Sequence, residues 1–391
     1  MNIFIKLCLT LVLLSSLHAD NNNTKEEDSL FISDEDGALD VSEYLGTRYG
    51  FLPVPSIITE PAVGYGIGVS LLFLHDTFYS TKERKAPPSI SGVFLGATEN
   101  GTKAAGAFHL GFWKKDTIRS TSFLGAMDIN INFYLRNIGI DMKMKGYFAY
   151  QELMFRVGES NFFLGANYMY SDMKSTRNSD EYPILNPLFE HEFKMGALAG
   201  IVQYDTRDSI FTPSSGLFAK ATLRRFDETL GGNENFWRYG AKAFYFTPIT
   251  KKLILGFRVE GESVASSGDD SVPFFANPSI NMRGIAAMRY QGEKMLLSEL
   301  QLRYEFLPRW NLVAFGGAGK VFGKETVFDA SLSPIQQDTT LFEAKLHPAG
   351  GLGFRYELAR KFGLWGGLDF ATSQDQDIAM YITVGSAWGA F

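Results

Sequence analysis

Beyond residue 49 the chain alternates apolar and polar positions with a period of two. Leu300, Leu302, Tyr304 and Phe306 interleave with Glu299, Gln301, Arg303 and Glu305. Leu352, Phe354, Tyr356 and Leu358 interleave with Gly351, Gly353, Arg355 and Glu357, and Leu253, Leu255, Phe257 and Val259 with Gly256, Arg258 and Glu260. In an extended strand such sets point to opposite faces. A half-buried strand of a soluble sheet alternates in the same way. What sets this chain apart is the repetition, with no helical pattern or second sheet to cover the apolar face. That face must then meet lipid. In lipid an open sheet edge would strand backbone N–H and C=O groups, so the sheet is expected to close.

About fifteen such segments can be counted, starting near Gly64, Ser89, Thr102, Arg119, Lys143, Asn161, Phe193, Leu217, Phe236, Lys252, Lys294, Asn311, Glu343, Lys361 and Ile378. Barrels of this class carry an even number of strands. Sixteen are therefore expected, the missing one between residues 118 and 157, where turn signals are weak. The fold class that follows is all-β: a single transmembrane antiparallel β-barrel over residues 49–391. Short turns at 248–252, 307–310 and 359–361 belong on the periplasmic rim, and the longer segments 171–192, 261–292 and 323–341 on the outer one.

Composition sharpens this picture. Hydrophobic residues make up 45% of the chain and aromatics 14%, with 34 Phe and 39 Gly, yet the mean hydropathy is only -0.05. Alternating lipid-facing and lumen-facing positions cancel in this way, whereas a helical membrane protein needs runs of about 20 apolar residues. One apolar run, residues 7–17, follows Lys6 and ends at Leu17-His18-Ala19, the pattern of a secretory signal cleaved after Ala19. The single Cys, Cys8, falls inside it without the small residues that precede a lipoprotein cysteine, so the mature chain is expected to lack thiol chemistry.

Charge is unevenly placed. Residues 20–48 hold nine acids against Lys25 and Arg48, while the chain beyond Tyr49 holds 34 acids and 34 bases. The acidity belongs to a periplasmic leader, expected to be largely disordered, whose later half could dock on the barrel. Nothing in this distribution attracts nucleic acid.

Three stretches resemble one family. Tyr204-Asp205-Thr206-Arg207-Asp208, with Pro213 and Gly216 following, is similar to a mid-barrel strand and tight turn of the BamA/TamA-like bacterial surface antigen family. Asn281-Met282-Arg283-Gly284-Ile285 stands where that family carries an Arg-Gly loop tip, and Gly351 through Asp369 to Trp388 resembles its C-terminal strands. The resemblance runs from about Phe51 onward and implies an outer-membrane barrel that inserts or translocates proteins, embedded among outer-membrane lipids and itself assembled by the barrel-insertion machinery. Two departures stand out. About 29 residues separate Ala19 from Tyr49, too few for a POTRA domain, so the chain is similar to a POTRA-less branch. The family's Phe-x-Asp-x-Gly pattern reads Phe315-Gly316-Gly317-Ala318-Gly319, with Gly317 in the acid's place.

A guanidinium folded into a lumen must be paired. Glu299 and Glu305, on the polar face of the next strand, are the candidate partners of Arg283. The expectation is an inward-folded loop, a partial plug pinned by Arg283 to Glu299 with Gly284 at its tip; the alternative is an exposed loop arginine with no fixed partner. Asp205, Arg207 and Asp208 read as a structural charge ladder at a strand end, or else as a functional patch. On the last strand Met380, Ile382, Val384 and Trp388 share a parity, resembling the terminal signal of new barrels, with Trp388 or Phe391 as its aromatic.

Other chemistry is sparse. Residues 34–43 fill several positions of a calcium loop, but Ile32 occupies the first, which needs a carboxylate. The five His lack ligand spacing and no Gly-x-Ser-x-Gly elbow is present. No cofactor or metal is expected. The function expected is a non-enzymatic role in outer-membrane biogenesis, handling proteins or lipids through a weak seam between strands 64–75 and 378–391. The alternatives are a passive channel or surface antigen, and an outer-membrane lipid hydrolase with Ser and His on neighbouring strands.

Overall fold

The computed structural model describes residues 31–47, 50–60, 62–76, 88–135, 138–178, 190–266, 272–328, 334–374 and 376–388. The expected export signal, the start of the leader and Phe391 lie outside them. The first half of the sheet is β1 (Gly50–Ile58), β2 (Gly66–Leu74), β3 (Ile90–Thr98), β4 (Lys103–Trp113), β5 (Ile118–Leu135), β6 (Ile138–Arg156), β7 (Phe162–Arg177) and β8 (His191–Asp205). The second half is β9 (Gly216–Phe226), β10 (Phe236–Thr250), β11 (Leu253–Ser266), β12 (Lys294–Leu307), β13 (Trp310–Phe328), β14 (Pro334–Thr339), β15 (His347–Ala359), β16 (Leu364–Ser373) and β17 (Gln376–Val384). Each strand pairs antiparallel with the next, except that β14 folds back only on the outer end of β13 and β15 takes the rest. Sixteen of the described strands thus form a nearly closed barrel.

Alternation builds the wall. Along β12, Met295, Leu297, Glu299 and Arg303 are buried while Leu296, Leu300, Leu302 and Tyr304 are exposed. Exposures of 74% for Ile67, 60% for Leu95 and 67% for Leu352 would be untenable in water at this density. Towards the short-turn rim the belt turns aromatic, with Trp113, Phe155, Phe162, Tyr304, Phe306 and Trp310 facing outward, as at a membrane interface.

Three expectations are corrected. Among the described residues, 118–157 hold two strands, β5 and β6, with no third between them. The sixteenth strand is β1, hidden in the sequence because Pro53 and Pro55 interrupt its pattern. The first strand is therefore not 64–75, and β2 pairs on both sides. Residues 323–328 and 334–339 form a hairpin, in place of an irregular loop over 323–341.

The prolines have a consequence. β1 pairs with β2 over all nine of its residues without a break. An antiparallel ladder exchanges both bonds at every second residue, and a proline has no N–H to give. An unbroken register is possible only if the nitrogens of Pro53 and Pro55 face the opposite edge, towards β17. Among the described residues no register joins β17 to β1, and the edge of β1 on that side lacks two donors.

Residues 31–47 dock on the barrel. A six-residue helix, α1 (Ser42–Thr47), follows a turn that packs on the short-turn rim. Val41 N donates to Leu358 O at 2.8 Å, and Tyr356 donates its hydroxyl to Leu39 O at 2.7 Å. At the β12–β13 turn Arg309 adopts φ 66°. Its Nε and Nη2 reach Asp36 at 2.6 and 3.0 Å and its Nη1 reaches Asp40 at 2.8 Å. The acids that suggested a calcium loop thus hold an arginine. The hydrogen bond from Arg309 lowers the Asp36 carboxyl to about 2. Burial would raise Asp40, but bonds from Ser42 and Arg309 outweigh it and bring that carboxyl below its usual value.

Candidate functional site

Residues 272–292 fold into the lumen beneath the outer rim. The loop is shaped like a small hairpin, with Ser279 bridging Gln291 and Ile280 N donating to Tyr290 O at 3.0 Å. Ile280, Met282 and Ile285 are buried against Met295, Leu297 and Ala349 of the wall, and Tyr290 stacks on His347 with centroids 3.6 Å apart. Gly319 leaves room for Ile280, since a Cβ there would lie 2.9 Å from that side chain. An apolar core therefore exists inside a barrel whose outer face is also apolar.

Arg283 sits at the loop tip. Its Nη1 donates to Asp369 of β16 at 2.7 Å, and its Nη2 bonds Glu299 and, at 3.0 Å, Gln301 of β12. The guanidinium lies 3.5 Å from the ring centroid of Phe315. Neither carboxylate serves Arg283 alone. Arg355 grips Asp369 through two bonds of 2.7 and 2.8 Å, and Arg258 reaches Glu299 at 3.3 Å, Glu260 at 2.9 Å and the loop carbonyl of Asn281 at 3.0 Å. Three arginines and three carboxylates thus form one buried network joining the loop to β11, β12, β15 and β16. An ion pair removed from water survives only when hydrogen bonds replace its lost hydration; here the Nη atoms and carboxylate oxygens are paired, while Arg258 Nε and Arg283 Nε meet no acceptor among the described residues.

The tip also fixes the backbone. Gly284 has φ 91°, and a Cβ there would lie 2.8 Å from Thr372 O; its N–H donates to the Tyr381 hydroxyl at 3.1 Å. On the wall, a Cβ at Gly353 would fall 2.0 Å from Asp369 Oδ1, and one at Gly317 would fall 2.2 Å from Ser298 O. Position 317 thus has no room for an acid, and Asp369 comes from another strand instead.

Of the residues singled out in the sequence, Arg283, Gly284 and Glu299 meet here. Glu305 does not: it lies six residues further along β12, about 20 Å away at strand rise, near the opposite rim. Asp369, Arg355, Arg258 and Phe315 were not singled out. The signal available for Asp369 was an acid between Leu368 and Phe370 whose cross-strand neighbour is Gly353.

Asp205 and Arg207 belong to a second lumenal network. Asp205 accepts from Arg207 Nε and from Arg119 Nη1, each at 2.9 Å. Arg119 also binds Asp116 at 2.7 Å, and Arg156 joins Asp116. Arg119 and Arg156 flank the fully buried Phe163 at 4.2 and 4.4 Å. Asp208 stands apart and accepts from Ser214 N at 2.9 Å, closing its turn.

Trp388 does not continue the outward parity of Ile378, Ile382 and Val384. At Gly385, φ 80°, the chain leaves the sheet. Trp388 turns into the lumen against Phe218, Phe244 and Phe246. On the outer wall, Ser91 Oγ lies 2.8 Å from both His75 Nε2 and His109 Nδ1.

These features meet known proteins at the level of the fold. The BamA of Haemophilus ducreyi lacking POTRA domains 1–3 superposes with a TM-score of 0.57 at 13% identity, covering 86% of this chain and 70% of that one. CdiB from Escherichia coli gives 0.53 at 10%, covering 85% and 61%, and CdiB from Acinetobacter baumannii 0.51 at 8%, covering 86% and 59%. This chain therefore spans about three-fifths of the length of either CdiB. No curated protein matches the sequence. The Omp85 superfamily domain matches residues 96–360, more than half of the chain, and the protein belongs to that superfamily of outer-membrane barrels.

Proposed function

We propose that this barrel serves outer-membrane biogenesis, passing protein or lipid substrates along its seam while the loop keeps the lumen shut. The observation that carries this reading is the edge of β1. Pro53 and Pro55 withhold two donors from the side facing β17, so parting these strands forfeits fewer hydrogen bonds than parting any neighbouring pair. The Arg283 network is the complementary half, since a seam can open without a leak only if the lumen is blocked. Partners in this reading are outer-membrane lipids and the machinery that inserts the barrel itself.

Deleting the protein and quantifying outer-membrane proteins and lipids tests it. A selective fall in some barrel proteins, or a shift in lipid composition, is expected. An unchanged membrane, together with large steady conductance of the purified protein, would favour a passive channel. Ser91 between two imidazoles favours a second reading, an outer-membrane lipid hydrolase, with a histidine to take the hydroxyl proton. Fatty-acid release from phospholipid vesicles, lost in Ser91→Ala, would establish that reading; no release from the wild type would end it.

A further inference from the structure

On β4, β5 and β6 the lipid-facing wall carries two polar rows. The registers set Lys103 opposite Asp128 and Asp128 opposite Lys145, and Lys143 reaches Asp128 at 3.0 Å. Six residues nearer the periplasmic rim, the same registers set His109 opposite Ser122 and Ser122 opposite Gln151. These positions share the parity of the exposed Trp113, Leu124, Tyr147 and Phe155, and so face outward. The inner row is bonded along its length. Ser122 donates its hydroxyl to Gln151 Oε1 at 2.6 Å, and Ser91 beside His109 carries the row onto β3.

Between the rows each strand shows lipid only two side chains. They are Ala105 and Ala107 on β4, Ala126 and Leu124 on β5, and Tyr147 and Ala149 on β6. At strand rise the rows stand about 20 Å apart, or about 15 Å along the membrane normal for a tilt near 40°. On β12 the outward apolar side chains run from Leu296 to Phe306, broken only by Ser298. That stretch covers about 25 Å of the normal, the usual height of such a band. A wall whose apolar band is too short thins the bilayer beside it. Polar side chains held in hydrocarbon are costly, and water and lipid headgroups drawn towards them relieve that cost.

We propose that this face lets glycerophospholipids cross between the leaflets. Their headgroups move along β4–β6 from one polar row to the other while the acyl chains stay in the bilayer. The barrier to such a crossing is the desolvation of the headgroup, which falls as the apolar stretch shortens. Lys103 and Lys145 supply ammonium groups that meet a lipid phosphate at the outer end. The path lies three to five strands from the β1 edge, so this activity is separate from passage along the seam.

Reconstituting the folded, purified protein into vesicles of phosphatidylethanolamine and phosphatidylglycerol, with a trace of short-chain fluorescent phospholipid, tests this. Serum albumin, too large to pass any lumen, extracts the label from the outer leaflet alone. Wild-type protein should make the inner-leaflet label extractable, which protein-free vesicles do not. Ser122→Leu with Gln151→Leu lengthens the apolar band and should slow the crossing about tenfold. Ala107→Ser with Leu124→Ser shortens it and should speed the crossing several-fold, whereas damage to the fold would not accelerate it. Pro53→Ala with Pro55→Ala should leave the rate unchanged. Heat-modifiable migration on gels certifies that each variant is folded. No crossing with the wild type, an unchanged rate in the leucine pair, a slower one in the serine pair, or a fall in the proline pair would each overturn the proposal.

Discussion

Arg283 on the lumenal loop and Asp369 on β16 are separated by 86 residues in the chain and by 2.7 Å in space. Asp369 is wholly buried, and Arg355 shares it. The contact makes one carboxylate both a clamp between neighbouring strands and the anchor of the loop. Loop position and barrel wall are therefore coupled through a single side chain.

Asp369→Asn removes the charge that two guanidinium groups share. Breaking one partner of a buried ionic network costs about 3–5 kcal/mol, so the barrel should convert to its unfolded gel form at markedly lower temperature. Gly353→Ala should reproduce the effect without touching a charge, because its Cβ would take the place of Asp369 Oδ1. Gly316→Ala, whose Cβ would meet only Ala349 O at 3.9 Å, should be tolerated. Thermal conversion of the three variants in detergent checks this ordering.

Restoring donors to the seam should stiffen it. With Pro53 and Pro55 both changed to Ala, two N–H groups face β17, each worth about 0.5–1.5 kcal/mol if it finds an acceptor. The double variant is expected to resist thermal conversion better than the wild type and to complement a deletion strain less well. Unchanged complementation at raised stability would separate the seam from function.

The docked leader should respond to acid in a defined window. The folded pKa of Asp36 is depressed to about 2 from a usual carboxylate value of about 4. A depressed carboxyl contributes to docking above its unfolded pKa, and that contribution is lost as pH falls through the folded one. Amide exchange protection of residues 31–47 is therefore expected to hold from pH 8 to about 5 and to vanish between about 4 and 2. Arg309→Ala should abolish it at neutral pH. Protection unaffected by that change would show that the rim contacts of Val41 and Tyr356 suffice.

Much of this architecture was legible in the alternation, because a strand's two faces meet different solvents and every residue must declare which. The polar positions Arg258, Glu299, Gln301, Arg303 and Arg355 were all assignable to the inner face from period alone. What period could not supply was which inner residues meet across the lumen. That depends on shear between distant strands, which is why Glu299 and Glu305 looked equivalent as partners of Arg283 although they lie at opposite ends of β12. β1 escaped notice because its two prolines interrupt the alternation by which the other strands were counted, although they mark an edge. Trp388 misled for a related reason: the left-handed turn at Gly385 ends the strand, and parity has no meaning beyond it.

The central claim is that the Arg283 network keeps the lumen shut, and single-channel recording in planar bilayers tests it most directly. The wild type should show little conductance, and Arg283→Ala should show frequent, several-fold larger openings while remaining folded by heat-modifiable migration. A wild-type barrel that conducts steadily, or an Arg283→Ala variant that stays as silent as its parent, would contradict the account.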